Sequence, residues 1–103
     1  MNKQQKINLA LNYLRLGNRG HLNCIRLNSS CSDVHNAEII NRCVQYLKSG
    51  IPFVTEAIFA NGSRCDILLP ATMEIEEIMY TETEERFNKK IYPNVFRIIK
   101  IRV

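Results

Sequence analysis

No apolar run in this sequence approaches the roughly 20 residues a helix needs to cross a membrane, so a membrane-spanning chain is not expected. The opening stretch MNKQQKINLALNYLRLG has no continuous apolar segment and no small-residue cleavage site. It reads as an amphipathic helix, not a secretion signal, and an intracellular protein is expected. A phosphate-binding loop and a G-x-G-x-x-G turn are both missing, which leaves nucleotide-binding readings without support. Internal repeats, low-complexity segments and linkers are also absent, so the 103 residues should form one domain with a modest core.

Acids are missing from whole regions. Residues 86–103 hold six Lys/Arg and no acid, and residues 1–50 hold seven Lys/Arg against two acids. The other eight acids fall in residues 51–85, where Arg64 is the one basic residue. An acidic band between basic flanks suits a polyanion held by the flanks while metal ions sit at the acids. Ordinary solvated charge with a helix cap is the plainer reading of the same layout. The four cysteines, Cys24, Cys31, Cys43 and Cys65, are expected to be reduced thiols in a chain without a secretion signal.

The periodicity then gives an order of elements. Residues 3–16 read as a helix stopped by Gly17 and Gly20. Residues 21–35 read as a short strand plus loop. Ser32 or Asp33 caps a second helix, with Ile39, Ile40, Cys43, Val44 and Leu47 at helical spacing and Gly50 as its stop. FVTEAIFA and RCDILL read as strands around the Asn61-Gly62 turn, and MEIEEIMY as a third strand after Pro70. Thr81 and Glu84 make a capping box for a helix through TETEERFNKKI, with Phe87 and Ile91 as core positions and Tyr92-Pro93 as its end. VFRIIKIRV is the last strand. The expected fold is an α+β sandwich: helix, three-stranded meander, helix and strand over residues 32–103, with residues 1–31 as a helical N-terminal extension.

The strands carry acids in apolar surroundings, and a buried carboxylate needs a partner or a metal. A strict two-residue loop at Asn61-Gly62 would put Glu56 and Asp66 on opposite faces, and a three-residue loop would put them on the same face. A four-residue turn from Pro70 to Met73 sets Asp66 opposite Glu77, and a three-residue turn sets it opposite Glu76. If they converge, Glu56, Asp66 and Glu77 make an oxygen nest for Mg²⁺ or Mn²⁺, where the cation would activate water and offset transition-state charge. Glu74 and Glu76 are read as covering a solvent face of the sheet.

The runs TEAIFANGSRCDIL and EIMYTETEERFNKKIYP resemble compact members of the PD-(D/E)xK nuclease superfamily, whose fold is of the restriction-endonuclease type. The matching pattern is an acid on the first strand (Glu56), an Asp after a Gly-x-Arg turn (Asp66 after Gly62-Ser63-Arg64) and an acid on the third strand (Glu77). The resemblance takes in Ser32 and His35 and covers roughly residues 32–103. It implies a metal-dependent DNA nuclease with Glu56, Asp66 and Glu77 as ligands. The lysine expected two residues after the third acid is Met79, or Glu76 if Glu74 is that acid. Some relatives recruit a lysine from the following helix, which here offers Lys89 and Lys90; Lys89 is favoured because it stands three residues before Tyr92. That lysine would orient the attacking water or neutralise developing charge. If neither lysine reaches the site, a DNA-binding or assembly module that does not cut is the alternative. A homodimer fits so short a chain acting on both strands.

His35, Arg64, Arg97 and Lys100 are candidate contacts to the DNA backbone. The competing readings are a helix-capping role for His35, an exposed turn or Asp66 pairing for Arg64, and edge blunting by Arg97, Lys100 and Arg102. His21, Cys24, Cys31 and His35 form H-x2-C-x6-C-x3-H, four ligand types that suit Zn²⁺ although the spacing is not that of a standard finger. A zinc-stabilised interaction domain on residues 21–35 is therefore a third reading. Cys43 and Cys65 are read as small core residues.

Overall fold

The computed structural model describes residues 1–80, 84–88 and 90–103. Its order is α1 (Lys3–Asn12), a 3₁₀ turn (Leu16–Asn18), α2 (Asp33–Ser49), β1 (Val54–Ile58), β2 (Arg64–Leu69), β3 (Glu74–Met79), α3 (Glu84–Phe87) and β4 (Arg97–Arg102). The four strands form one mixed sheet in the order β1-β2-β3-β4. The first three are an antiparallel meander and β4 runs parallel to β3. The expected α+β class is therefore what the chain adopts.

Local chemistry explains the helix ends. Asn2 and Gln5 form a reciprocal capping box on α1. The Ser32 side chain accepts from the His35 amide to start α2, and Gly50, at φ 69°, ends it in the left-handed conformation open to glycine. Helix α1 stops earlier than its pattern suggests. Leu14 leaves the helix to bridge Phe59 beyond the end of β1, and its side chain is fully buried there. The gain from burying a leucine, about 1.5–3 kcal/mol, outweighs one more exposed helical turn.

The sheet is covered on both faces. Ile39 and Cys43 of α2 pack with Phe53, Ile67, Leu69 and Ile78 on one side. Ala10 and Leu14 pack with Val54, Leu68, Ile75 and Met79 on the other, where Phe59 meets Phe96 edge to face and Tyr92 at a tilt. Cys43 and Cys65 are buried, as expected for core thiols, and all four cysteines are free. Phe87 is buried but Ile91 is 71% exposed. The helical element there is described only over Glu84–Phe87, so i, i+4 spacing does not carry to Ile91. The expected capping box rests on Thr81, which lies outside the described residues.

Residues 21–32 contain no strand. They follow the outer edge of β1 through scattered main-chain and side-chain bonds instead of a ladder. The Asn23 amide donates to the Phe53 carbonyl at 2.7 Å, and the Phe53 amide donates to Asn23 Oδ1 at 3.1 Å. Thr55 Oγ1 accepts from the Arg26 amide at 2.8 Å and donates to the Cys24 carbonyl at 2.9 Å. Further along, the Ile58 amide donates to Asn18 Oδ1 and the Arg15 amide donates to the Ile58 carbonyl. The N-terminal extension thus covers an edge that would otherwise present unpaired backbone groups.

Candidate active site

The β1–β2 hairpin has a three-residue loop, with Phe59 bonded to Ser63 across it, so the ladder pairs Thr55 with Ile67 and Ala57 with Cys65. Glu56 and Asp66 are thereby directly opposite one another. The ladder bends at this pair. Glu56 has φ 49°, a left-handed conformation that a non-glycine residue rarely takes. Val54 and Ala57, three residues apart, join the same apolar cluster, as do Cys65 and Leu68. Regular alternation would place each such pair on opposite faces, so the ribbon turns over at the two acids. The second turn spans residues 70–73 and closes with Leu69 opposite Glu74. Continuing that register sets Asp66 across from Glu77, as the four-residue turn required.

Each acid has a different environment. Asp66 accepts from His35 Nε2 at 3.0 Å and from the Ile78 amide at 2.7 Å. Burial opposes its ionisation, but the hydrogen bonds from His35, Glu77 and Ile78 prevail and hold its pKa below the ordinary value. The pKa of His35 is raised, chiefly by the hydrogen bond to Asp66. Glu77 is 0% exposed. It is bonded to Asp66 and to the Tyr92 hydroxyl, whose single proton also has the Arg64 carbonyl within 2.9 Å as an acceptor. Burial and the neighbouring Asp66 charge push Glu77 up to about 8, so it carries the proton of the pair. Lys90 Nζ is 3.5 Å from Glu77 Oε2. Glu56 is raised by burial and by Asp66; Arg64 Nε, 3.3 Å from Glu56 Oε2, partly offsets this. The other oxygen, Glu56 Oε1, is buried with no hydrogen-bond partner.

Glu56 and Asp66 line a cleft of about 370 Å³ together with His35, Arg64, Arg86 and Lys90. Sequence reasoning identified Glu56, Asp66, Glu77, Lys90, His35 and Arg64, and the structure brings all six to this locality. Lys89 lies outside the described residues. Arg97 and Lys100 are not among the residues lining the cleft: Arg97 pairs with Glu74, and the Lys100 ammonium lies 4.3 Å from the Phe87 ring centre. Met79, in the lysine slot of the nuclease pattern, is buried in the apolar layer. Glu76 is not on a solvent face; it is buried and accepts from Tyr46 and Arg42 of α2. Tyr92 and Arg86 were missed as site residues. Tyr92 read only as a helix stop, and nothing in its spacing links it to Glu77.

The residues of the zinc pattern have other partners. His21 meets Arg26, the Cys24 thiol donates to the Leu22 carbonyl, His35 binds Asp66 and Cys31 lines the cleft. Among the described residues no group of three or more His, Cys, Asp or Glu could hold a metal ion. Burial raises the Cys31 thiol, with Glu56 and Asp66 adding to the effect, so it is not set up as a thiolate nucleophile. Among the described residues no helix is long and apolar enough to cross a membrane. No protein-family model, curated protein or solved structure matches the chain.

Proposed function

We propose that the chain is a metal-dependent DNA nuclease of the PD-(D/E)xK type, with Glu56 and Asp66 as ligands of one Mg²⁺ or Mn²⁺, Glu77 as the third acid and Lys90 as its lysine. The observation that carries this reading is the facing pair Glu56 and Asp66 in a cleft ringed by His35, Arg64 and Lys90. The order of a helix, a three-stranded meander, a helix and a parallel closing strand also agrees with the family resemblance.

The donor set fits a hard cation. Glu56 Oε1 is a buried oxygen without a partner, and Glu56 is raised by burial and a like charge, both of which a divalent ion offsets. Two facing carboxylates are enough for Mg²⁺, which takes one or two and leaves other positions to water and substrate phosphate. Such an ion would supply an activated water and electrostatic relief at the phosphate. The protein's own groups supply the rest. His35 and the Ile78 amide fix the orientation of Asp66. Arg64 holds one oxygen of Glu56, and the other is buried without a hydrogen-bond partner. Glu77 keeps a proton beside Asp66, and Lys90 neutralises charge that builds on the phosphate oxygens.

Plasmid nicking tests the proposal. Purified protein cuts plasmid DNA, in its supercoiled or its single-stranded circular form, in Mg²⁺ or Mn²⁺ but not in EDTA, and Asp66→Asn stops it. A second reading, a DNA-binding or assembly module that does not cut, is favoured by Met79 in the lysine slot. It predicts binding without nicking in either metal. Cutting both strands would call for a homodimer with two sites.

A further inference from the structure

The acids lie below the rim of their cleft. The Glu56 and Asp66 side chains are 10% and 16% exposed, whereas Arg64 and Tyr80 are 53% and 49% exposed. A second hollow of about 270 Å³ shares Glu56 and Arg64 with the first and continues past Arg26 and Leu27. Tyr80 stands in the wall of the first hollow, just after β3 ends, with its ring half open to water. Arg64 and Arg86 bring positive charge to the walls of the first hollow, and Arg64 and Arg26 to those of the second.

A duplex is a wide rod with phosphates on its outside. Resting on Arg64 and Tyr80, it would leave its phosphates above the recessed acids. A single chain can enter the cleft and lower one phosphate to them, with the adjacent base free to turn aside. Basic grooves that follow a backbone, combined with aromatic rings that take bases face to face, are how proteins hold single strands without reading sequence. Resting on the nuclease reading for its chemistry, but not for its binding prediction, we propose that the substrate is a single-stranded DNA segment. The base beside the bound phosphate stacks on Tyr80.

The experiment uses the full chain carrying Asp66→Asn, so that DNA persists, and a single-stranded oligonucleotide containing 2-aminopurine. The single strand should bind roughly tenfold more tightly than a duplex of equal length, and 2-aminopurine fluorescence should be quenched on binding. Tyr80→Ala should weaken single-strand binding by roughly tenfold, in line with loss of one base–aromatic stack, and abolish the quench. Tyr80→Phe should keep both, and duplex binding should be unchanged. Tyr80→Leu, which keeps apolar bulk without a ring, serves if the alanine variant does not fold. Equal or tighter duplex binding, or a ring-less variant that matches its parent, overturns the inference. Tyr80-dependent single-strand binding with no cleavage by the unsubstituted chain would end the nuclease reading and leave this inference standing. Cleavage of duplex at the single-strand rate, indifferent to Tyr80, would do the reverse.

Discussion

Replacing Glu77 by glutamine should stabilise the protein at alkaline pH. Glu77 is fully buried, and its pKa is pushed up to about 8 from an ordinary 4.5. The folded state therefore keeps a proton that the unfolded state releases, and stability falls as pH rises through that window. Each pH unit costs about 1.4 kcal/mol while the two states differ by a whole proton. Between pH 5 and pH 8 this amounts to roughly 3 kcal/mol, because the unfolded group is already largely ionised at pH 5 and the folded one is half ionised at pH 8. Glutamine matches the protonated acid in shape. Its oxygen can accept from Tyr92 and its amide can donate to Asp66, but it cannot ionise. Urea denaturation in EDTA at both pH values is the assay. The two proteins should differ little at pH 5, and the variant should be more stable by roughly 3 kcal/mol at pH 8. A variant that is less stable at pH 8, or that follows the wild-type pH dependence, would show Glu77 ionised and paired with Lys90, and the reasoning would fail.

Other outcomes follow from the same geometry. His35→Ala should cost about 1–2 kcal/mol of stability at pH 5.5 and less at pH 8.5, measured by thermal melting. The raised His35 contribution is fully present below its ordinary 6.5 and fades as pH passes the higher folded value, whereas that of Asp66 is present above 3.8 and is lost only in acid. Lys90→Met should lower the rate of metal-dependent cleavage by about 10²-fold with little change in DNA affinity. Deleting residues 1–31 should leave a chain without a cooperative melt by circular dichroism. It removes buried Ala10 and Leu14 and strips the side-chain bonds from the edge of β1.

Much of the sheet was readable from period and turn chemistry. The runs around Asn61-Gly62 alternate as strands, and the loop lengths limited the acids to a few arrangements, one of which the fold adopts. The caps at Ser32 and Gly50 acted locally and were equally plain. What escaped depended on contacts distant in sequence. Residues 21–32 mimic a strand with the side chains of Asn23 and Thr55, which leave no periodic trace. The turnover of the hairpin at Glu56 rests on one left-handed residue that no glycine marks. Glu76 looked like a solvent acid because its partners, Arg42 and Tyr46, lie 34 and 30 residues away. Tyr92 meets Glu77 across 15 residues of chain, a pairing without a spacing rule.

The central claim is that Glu56 and Asp66 together hold one divalent cation. Calorimetric titration of Mn²⁺ into the metal-free protein tests it most directly, with Glu56→Gln and Asp66→Asn alongside. The account predicts one site per chain that is lost in both variants. A chain that binds no Mn²⁺, or one whose site survives both substitutions, would contradict it.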